Sequence, residues 1–133
     1  MRFLVVDDQD SARKMLCQLV SNNPSWLVVS EAANGLEAIA RMEQKPDAVL
    51  MDIVMPVMDG LEATRQIKHF APDTVVILTT AYQDREFRTR SLKAGADGFV
   101  LKDDLTTDAL RRILYAKEKI EGEMNKEGGG NNG

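Results

Sequence analysis

Ala48-Val-Leu-Met51 is a short apolar run that ends in Asp52. Its length and composition fit a strand buried on both faces. The same arrangement recurs along the chain. Phe3-Leu-Val-Val6 ends in Asp7-Asp8, Val75-Val-Ile-Leu78 ends in Thr79-Thr80, and Gly98-Phe-Val-Leu101 ends in Lys102. A parallel sheet gathers the residues at its carboxyl edge into one crevice. Side by side, these four runs form an acidic pocket with a hydroxyl and an ammonium beside it. That set suits a divalent cation and a phosphoryl group.

Helical periodicity fills the gaps between runs. Ala12, Met15, Leu16, Leu19 and Val20 recur at helical spacing over 11–21, with Asp10 or Ser11 as cap. Asn22-Asn23-Pro24 breaks that helix, and Trp26-Leu-Val-Val-Ser30 reads as a second strand after the first at 2–6. Asn34-Gly35 turns the chain into a helix over 35–44 carrying Leu36, Ile39, Ala40 and Met42. Pro46 stops it before the third strand, 47–51. Asp59-Gly-Leu-Glu62 has the spacing of a capping box and starts a helix to about His69, with Ala63, Ile67 and Phe70 as its inner face. The fourth strand is expected at 74–79. A polar helix over 84–94, anchored by Phe87 and Leu92, leads to Gly95 as a left-handed cap. A fifth strand, 97–101, precedes a last helix over 106–121, with Leu110, Ile113, Leu114 and Ile120 inward.

Five strands alternating with five helices predict an α/β fold with a parallel sheet, because each crossover needs a helix. The first, third and fourth strands are almost wholly apolar and belong in the centre; the second carries Trp26 and Ser30 and belongs at an edge. The expected order is 2-1-3-4-5, with a switch point between strands one and three. At 133 residues and 44% hydrophobic, the chain fits one domain over 1–121. Residues 122–133, with little apolar content, read as a flexible tail or the start of a linker.

Seventeen basic against 21 acidic residues leave a net charge of −4, with no long basic run. Direct binding to nucleic acid or to an anionic membrane is therefore not expected. No apolar stretch reaches the roughly 20 residues that span a bilayer, and no signal peptide is expected ahead of the first strand. The single cysteine, Cys17, fits a reducing cytoplasm and an inert packing role.

Each strand-end residue also has a plainer reading. Asp7-Asp8 could be a solvated acidic turn, Asp52 a structural acid, Lys102 a surface lysine, and Thr80 a β-branched strand residue. Together they read differently. Three gathered carboxylates repel unless a cation such as magnesium lies among them. Asp52, set between Met51 and Ile53-Val-Met55, has the surroundings of a nucleophile, with Lys102 offsetting charge and the Thr80 hydroxyl donating to a phosphoryl oxygen.

Leu4-Val-Val-Asp-Asp8, Met51-Asp-Ile-Val-Met-Pro56, Met58-Asp-Gly-Leu-Glu62, Thr79-Thr-Ala81 and Gly95-Ala-Asp-Gly-Phe-Val-Leu-Lys102 carry a resemblance over residues 2 to about 120. The chain resembles the receiver domains of bacterial two-component response regulators. That resemblance implies the flavodoxin-like (βα)5 three-layer sandwich of the chemotaxis regulator. It implies that Asp52 accepts a phosphoryl group from a sensor histidine kinase or a small phosphodonor. Asp8 and Asp52 would bind Mg2+ directly, with the Val54 carbonyl, and Asp7 would act through water. Lys102, Thr80 and the Ala81 amide would contact the phosphoryl group. Phe99 matches the switch aromatic coupled to Thr80. The face of the fourth helix, fifth strand and fifth helix would then change, as a surface for a homodimer or another partner. A helix-turn-helix output domain, as in nitrate-response regulators, would lie outside this chain.

Three positions depart from the common pattern. Asp103 stands where the family usually has a proline preceded by a cis bond, so a trans bond is expected. Val54 and Tyr82 flank the path of the hydrolytic water and offer no carboxylate or amide to orient it, which predicts a long-lived phosphorylated form. Two other functions compete. A phosphatase of the haloacid dehalogenase type needs a second aspartate where Val54 stands. A phosphate-independent interaction module would not need the intact Asp8, Asp52, Thr80 and Lys102 set.

Overall fold

A computed structural model of the protein describes the backbone of residues 1–131 and the side chains of residues 1–122. Strands β1 (Arg2–Val6), β2 (Leu27–Ala32), β3 (Ala48–Asp52), β4 (Val75–Thr80) and β5 (Gly98–Leu101) form one parallel sheet in the order β2-β1-β3-β4-β5. Between and after them run α1 (Asp10–Ser21), α2 (Gly35–Arg41), α3 (Gly60–Phe70), α4 (Arg85–Lys93) and α5 (Thr107–Asn131). This is the expected flavodoxin-like sandwich, with β2 at one edge and the switch point between β1 and β3.

Strand periodicity sorts the core into two faces. Leu4, Val6, Val49, Met51, Val76 and Leu78 meet Ala38 of α2, Ala63 and Ile67 of α3, and Ala94 after α4. The alternate residues Phe3, Val5, Leu50, Val75 and Ile77 meet Leu16 and Val20 of α1 and Leu110 and Leu114 of α5. Every residue of β3 and β4 is buried, which is why those runs lack polar alternation. Register then decides what the carboxyl edge displays. Val6 pairs with Met51, Asp52 with Thr79, and Thr80 with Leu101, so the next residues out include Asp7 and Lys102.

Local chemistry fixes the helix starts and stops. Asp59 accepts a hydrogen bond from the Glu62 amide at 2.8 Å and caps α3; the Glu62 carboxylate turns instead to Arg65 and Gln66, so the box closes on one side. Gly60 is required for packing: a Cβ there would lie 2.4 Å from the Asp52 carbonyl oxygen. Gly95 has φ +96°, the left-handed cap anticipated for it. At the amino edge, the Asp97 carboxylate accepts from the Val76 amide at 2.8 Å, Lys68 of α3 at 2.8 Å and Lys117 of α5 at 3.0 Å. Burial alone would raise its pKa, but these donors hold it below the usual carboxylate range.

Several expected details are corrected. The cap of α1 is Gln9, not Asp10 or Ser11, since Asp10 is drawn to Arg13 at 2.6 Å. The helix over 35–44 gives way after Arg41 to a 3-10 turn, Met42–Gln44, and then to Lys45 at φ 53°, because the residue before Pro46 is disfavoured in helical geometry. Met15, Leu36, Ala40, Phe70, Leu92 and Ile120 are exposed rather than inward. Met15, Leu36 and Leu92 each sit about 100° round the helix from a buried neighbour, Leu16, Gly35 and Ser91. Phe70 lies past Ile67, the last buried residue of α3, and Ile120 past Leu114, the last buried one among the described residues of α5. The backbone of the anticipated tail is helical from Gly122 to Asn131, as the helix-forming Glu, Met and Lys residues after Gly122 permit; the rest of that segment lies outside the described residues.

Candidate functional site

Asp7 leaves β1 fully buried, its amide donating to the Ala32 carbonyl at 3.1 Å. Its Oδ1 accepts from the Gln9 amide at 3.0 Å and its Oδ2 from Lys102 Nζ at 2.8 Å. Asp8 is exposed. Asp52 ends β3 with 7% of its surface open, and its Oδ2 lies 3.4 Å from Lys102 Nζ. One carboxylate oxygen from each of Asp7, Asp8 and Asp52 lies within 4.8 Å of the other two. Residues distant in sequence thus meet because four parallel strands end at one level.

Charge at this edge is finely opposed. Burial raises the Asp52 pKa, Lys102 pulls it back, and Asp7 pushes it further up, leaving it above the ordinary carboxylate value. Burial would lower the Lys102 pKa, but the hydrogen bond it donates to Asp7 and the charge of Asp52 hold it above the lysine value. The donor set suits a hard divalent cation: carboxylate oxygens only, with Asp8 exposed and Asp7 and Asp52 buried. Asp7 fits a less direct role, because both of its oxygens already accept hydrogen bonds.

Thr80 is fully buried at the end of β4, and its hydroxyl accepts from the Tyr82 amide at 3.2 Å. Ala81 follows in an exposed bend, and Val54 is exposed on the loop after β3. Phe99 stands apart from the carboxylates, half-buried on β5, paired in register with Leu78. The Arg88 guanidinium of α4 lies 5.1 Å over its ring. The Lys102–Asp103 bond is trans, as expected. In the loop after β3, the Met58 amide donates to the Pro56 carbonyl at 2.8 Å, closing a γ-turn around Val57 at φ +69°.

Sequence reasoning overlooked two supporting residues. Arg13 donates to the Asp7 carbonyl at 2.8 Å and pairs with Asp10 and Glu31, bracing the acidic turn from α1. Its spacing of three from Asp10 on one helix is a signal that could have found it. Arg88 is the other, and its stacking on a strand residue leaves no mark in sequence spacing. Cys17 is half-buried, and burial, with Glu31 nearby, pushes its thiol up to about 11, in keeping with an inert role. Among the described residues no helix is long and apolar enough to cross a membrane.

Comparison with known proteins points one way. The family model of the response regulator receiver domain matches residues 3–114. The chain is 42% identical over 104 residues to the uncharacterized transcriptional regulatory protein YhcZ of Bacillus subtilis (strain 168), covering 77% of this chain and 49% of that protein. It is 40% identical over 117 residues to the chemotaxis protein CheY of Halobacterium salinarum, covering 85% of this chain and 96% of that one. Among solved structures, a LuxR-family two-component response regulator from Aurantimonas sp. SI85-9A1 superposes with a TM-score of 0.78 at 32% identity, over 86% of this chain and 82% of that chain. The chain therefore spans about half the length of the Bacillus regulator and nearly all of the Halobacterium protein.

Proposed function

The chain belongs to the response regulator receiver family, and on that premise we propose that it is a phosphorylation-driven switch of a two-component system. Asp52 is the phosphoacceptor, supplied by the phosphohistidine of a sensor histidine kinase or by a small phosphodonor. The observation that carries this reading is the Lys102 ammonium, 2.8 Å from Asp7 and 3.4 Å from Asp52 at the rim of a three-carboxylate cluster. A cation held there by fixed anions is placed to meet negative charge arriving on Asp52.

In the transfer, an Asp52 oxygen forms the O–P bond as the donor's bond to phosphorus breaks. The raised pKa of Asp52 makes its carboxylate a better nucleophile once ionised. Lys102, the Thr80 hydroxyl and the Ala81 amide bind the phosphoryl oxygens. Asp8, Asp52 and the Val54 carbonyl would hold Mg2+, with Asp7 acting through water, and the ion would neutralise charge on the phosphoryl group.

Thr80 must give up the Tyr82 amide to donate to a phosphoryl oxygen, and that movement opens space for Phe99. The α4-β5-α5 face changes with it, as a surface for a homodimer or another partner. Receiver relatives include transcriptional regulators, so a C-terminal output domain outside this chain fits, in a cytoplasmic protein. Intact-mass measurement after treatment with acetyl phosphate and magnesium tests the reading. One phosphoryl adduct, absent in Asp52→Asn, is the expected result; no adduct on the native chain refutes it.

A further inference from the structure

The turn that carries Asp8 is pinned on both sides. Before it, the Asp7 amide donates to the Ala32 carbonyl at 3.1 Å; after it, the Gln9 amide donates to Asp7 Oδ1 at 3.0 Å. The carbonyls of Asp7 and Gln9 both accept from Arg13, the first from Nη1 at 2.8 Å and the second from the Arg13 amide at 2.9 Å. Asp8 itself is exposed, so packing gives its carboxylate little hold and its direction comes from the backbone. A peptide unit is planar, so a fixed Asp7 carbonyl fixes the direction in which the Asp8 N–Cα bond leaves.

The guanidinium that holds that carbonyl is anchored in turn. Its Nε lies 3.1 Å from Glu31 on β2 and its Nη2 2.6 Å from Asp10 at the start of α1, with only 19% of the side chain exposed. One planar group thus joins the end of β1, the start of α1 and the edge strand. A rigid fork can meet three acceptors at once; an ammonium on a flexible stem cannot fix the same plane. The charge of Arg13 works the other way. A positive group beside a cation site repels the ion, so electrostatics alone gives no reason for an arginine here.

On the reading that Asp8 is a direct ligand of Mg2+, we propose that Arg13 is a positioning residue for the cation. It holds the Asp7–Asp8 peptide so that the Asp8 carboxylate is aimed at the space it shares with Asp7 and Asp52, where one oxygen of each lies within 4.8 Å of the others. A ligand set ordered in advance spares the cost of ordering it on binding. Loss of Arg13 therefore weakens Mg2+ and raises the Mg2+ concentration that half-saturates phosphorylation. Saturating Mg2+ restores the rate, because Arg13 touches neither Asp52 nor Lys102.

The test is a Mg2+ titration of the full chain, followed by amide chemical shifts, beside urea midpoints measured without metal. Arg13→Gln is expected to raise the Mg2+ dissociation constant about 10-fold. Arg13→Lys keeps the charge, loses the fork and should raise it several-fold. Combined with Asp8→Asn, Arg13→Gln should add less than about twofold, since its effect passes through Asp8. Charge acting alone predicts tighter binding in Arg13→Gln and native binding in Arg13→Lys, and either result overturns the proposal. So does a lowered urea midpoint with an unchanged dissociation constant, the mark of a purely structural arginine. Native affinity in Asp8→Asn refutes instead the reading of Asp8 as a ligand.

Discussion

Asp52 and Thr79 are register partners across β3 and β4, yet their polar groups are treated in opposite ways. The Asp52 carboxylate meets Lys102, whereas the fully buried Thr79 hydroxyl has no hydrogen-bond partner among the described residues. An unmet buried hydroxyl costs about 1–3 kcal/mol. Thr79→Val keeps the branched shape and is expected to stabilise the fold by about 1 kcal/mol, read as a higher urea midpoint. Ser91→Ala, at the other unmet hydroxyl, should act in the same direction.

Asp52 itself works against the fold. Its pKa is raised in the folded state, so the ionised form is destabilising at neutral pH, and that penalty disappears as pH falls through the folded value. Without a divalent cation, Asp52→Asn should therefore be more stable than the native chain at pH 7, by about 1 kcal/mol. The difference should shrink on acidification, and added magnesium should raise the midpoint of the native chain alone.

Asp97 carries the opposite sign. With its pKa held down by Lys68, the Val76 amide and Lys117, it contributes stability above the unfolded carboxylate range, about pH 3.9, and loses it as pH falls through the lower folded value. Asp97→Asn should cost about 2–3 kcal/mol at pH 7. Urea midpoints of native and variant chains should converge below about pH 4.

Val57 is a β-branched residue at φ +69° with 77% of its surface open, so its side chain repays little of its backbone strain. Val57→Gly is expected to stabilise the fold by about 1 kcal/mol despite the extra freedom of an unfolded glycine. Calorimetric melting would register the gain.

Val54 and Tyr82 present no carboxylate or amide side chain to the phosphoryl site, which supports slow loss of the phosphoryl group. Introducing both missing functions, Val54→Asn with Tyr82→Glu, should speed decay of the adduct by at least about 10-fold in excess magnesium. Equal lifetimes would refute the reading.

The topology was legible because the fully buried β3 and β4 leave continuous apolar runs, and because Trp26 and Ser30 mark β2 as an edge. The carboxylate cluster was legible for the same reason, since strand exits follow directly from strand ends. Helix faces were read less well. Leu92 and Ser91 differ by one position, and hydrophobicity favoured the leucine where packing takes the smaller serine. Arg88 acts through a contact between elements, which depends on how helices lie on the sheet; Arg13 shows its Asp10 pairing in local spacing, but not its reach to the Asp7 carbonyl and Glu31.

The lone tryptophan has a practical consequence. Trp26 packs on Phe3, with ring centroids 5.1 Å apart, at the opposite end of β1 from Asp7, about 13 Å along the strand. Its emission therefore reports whether the edge of the sheet is intact and is a spectator to chemistry at the carboxyl edge. Unfolding of every variant described above is visible by native fluorescence without a label, whereas occupancy of Asp52 is optically silent and has to be weighed.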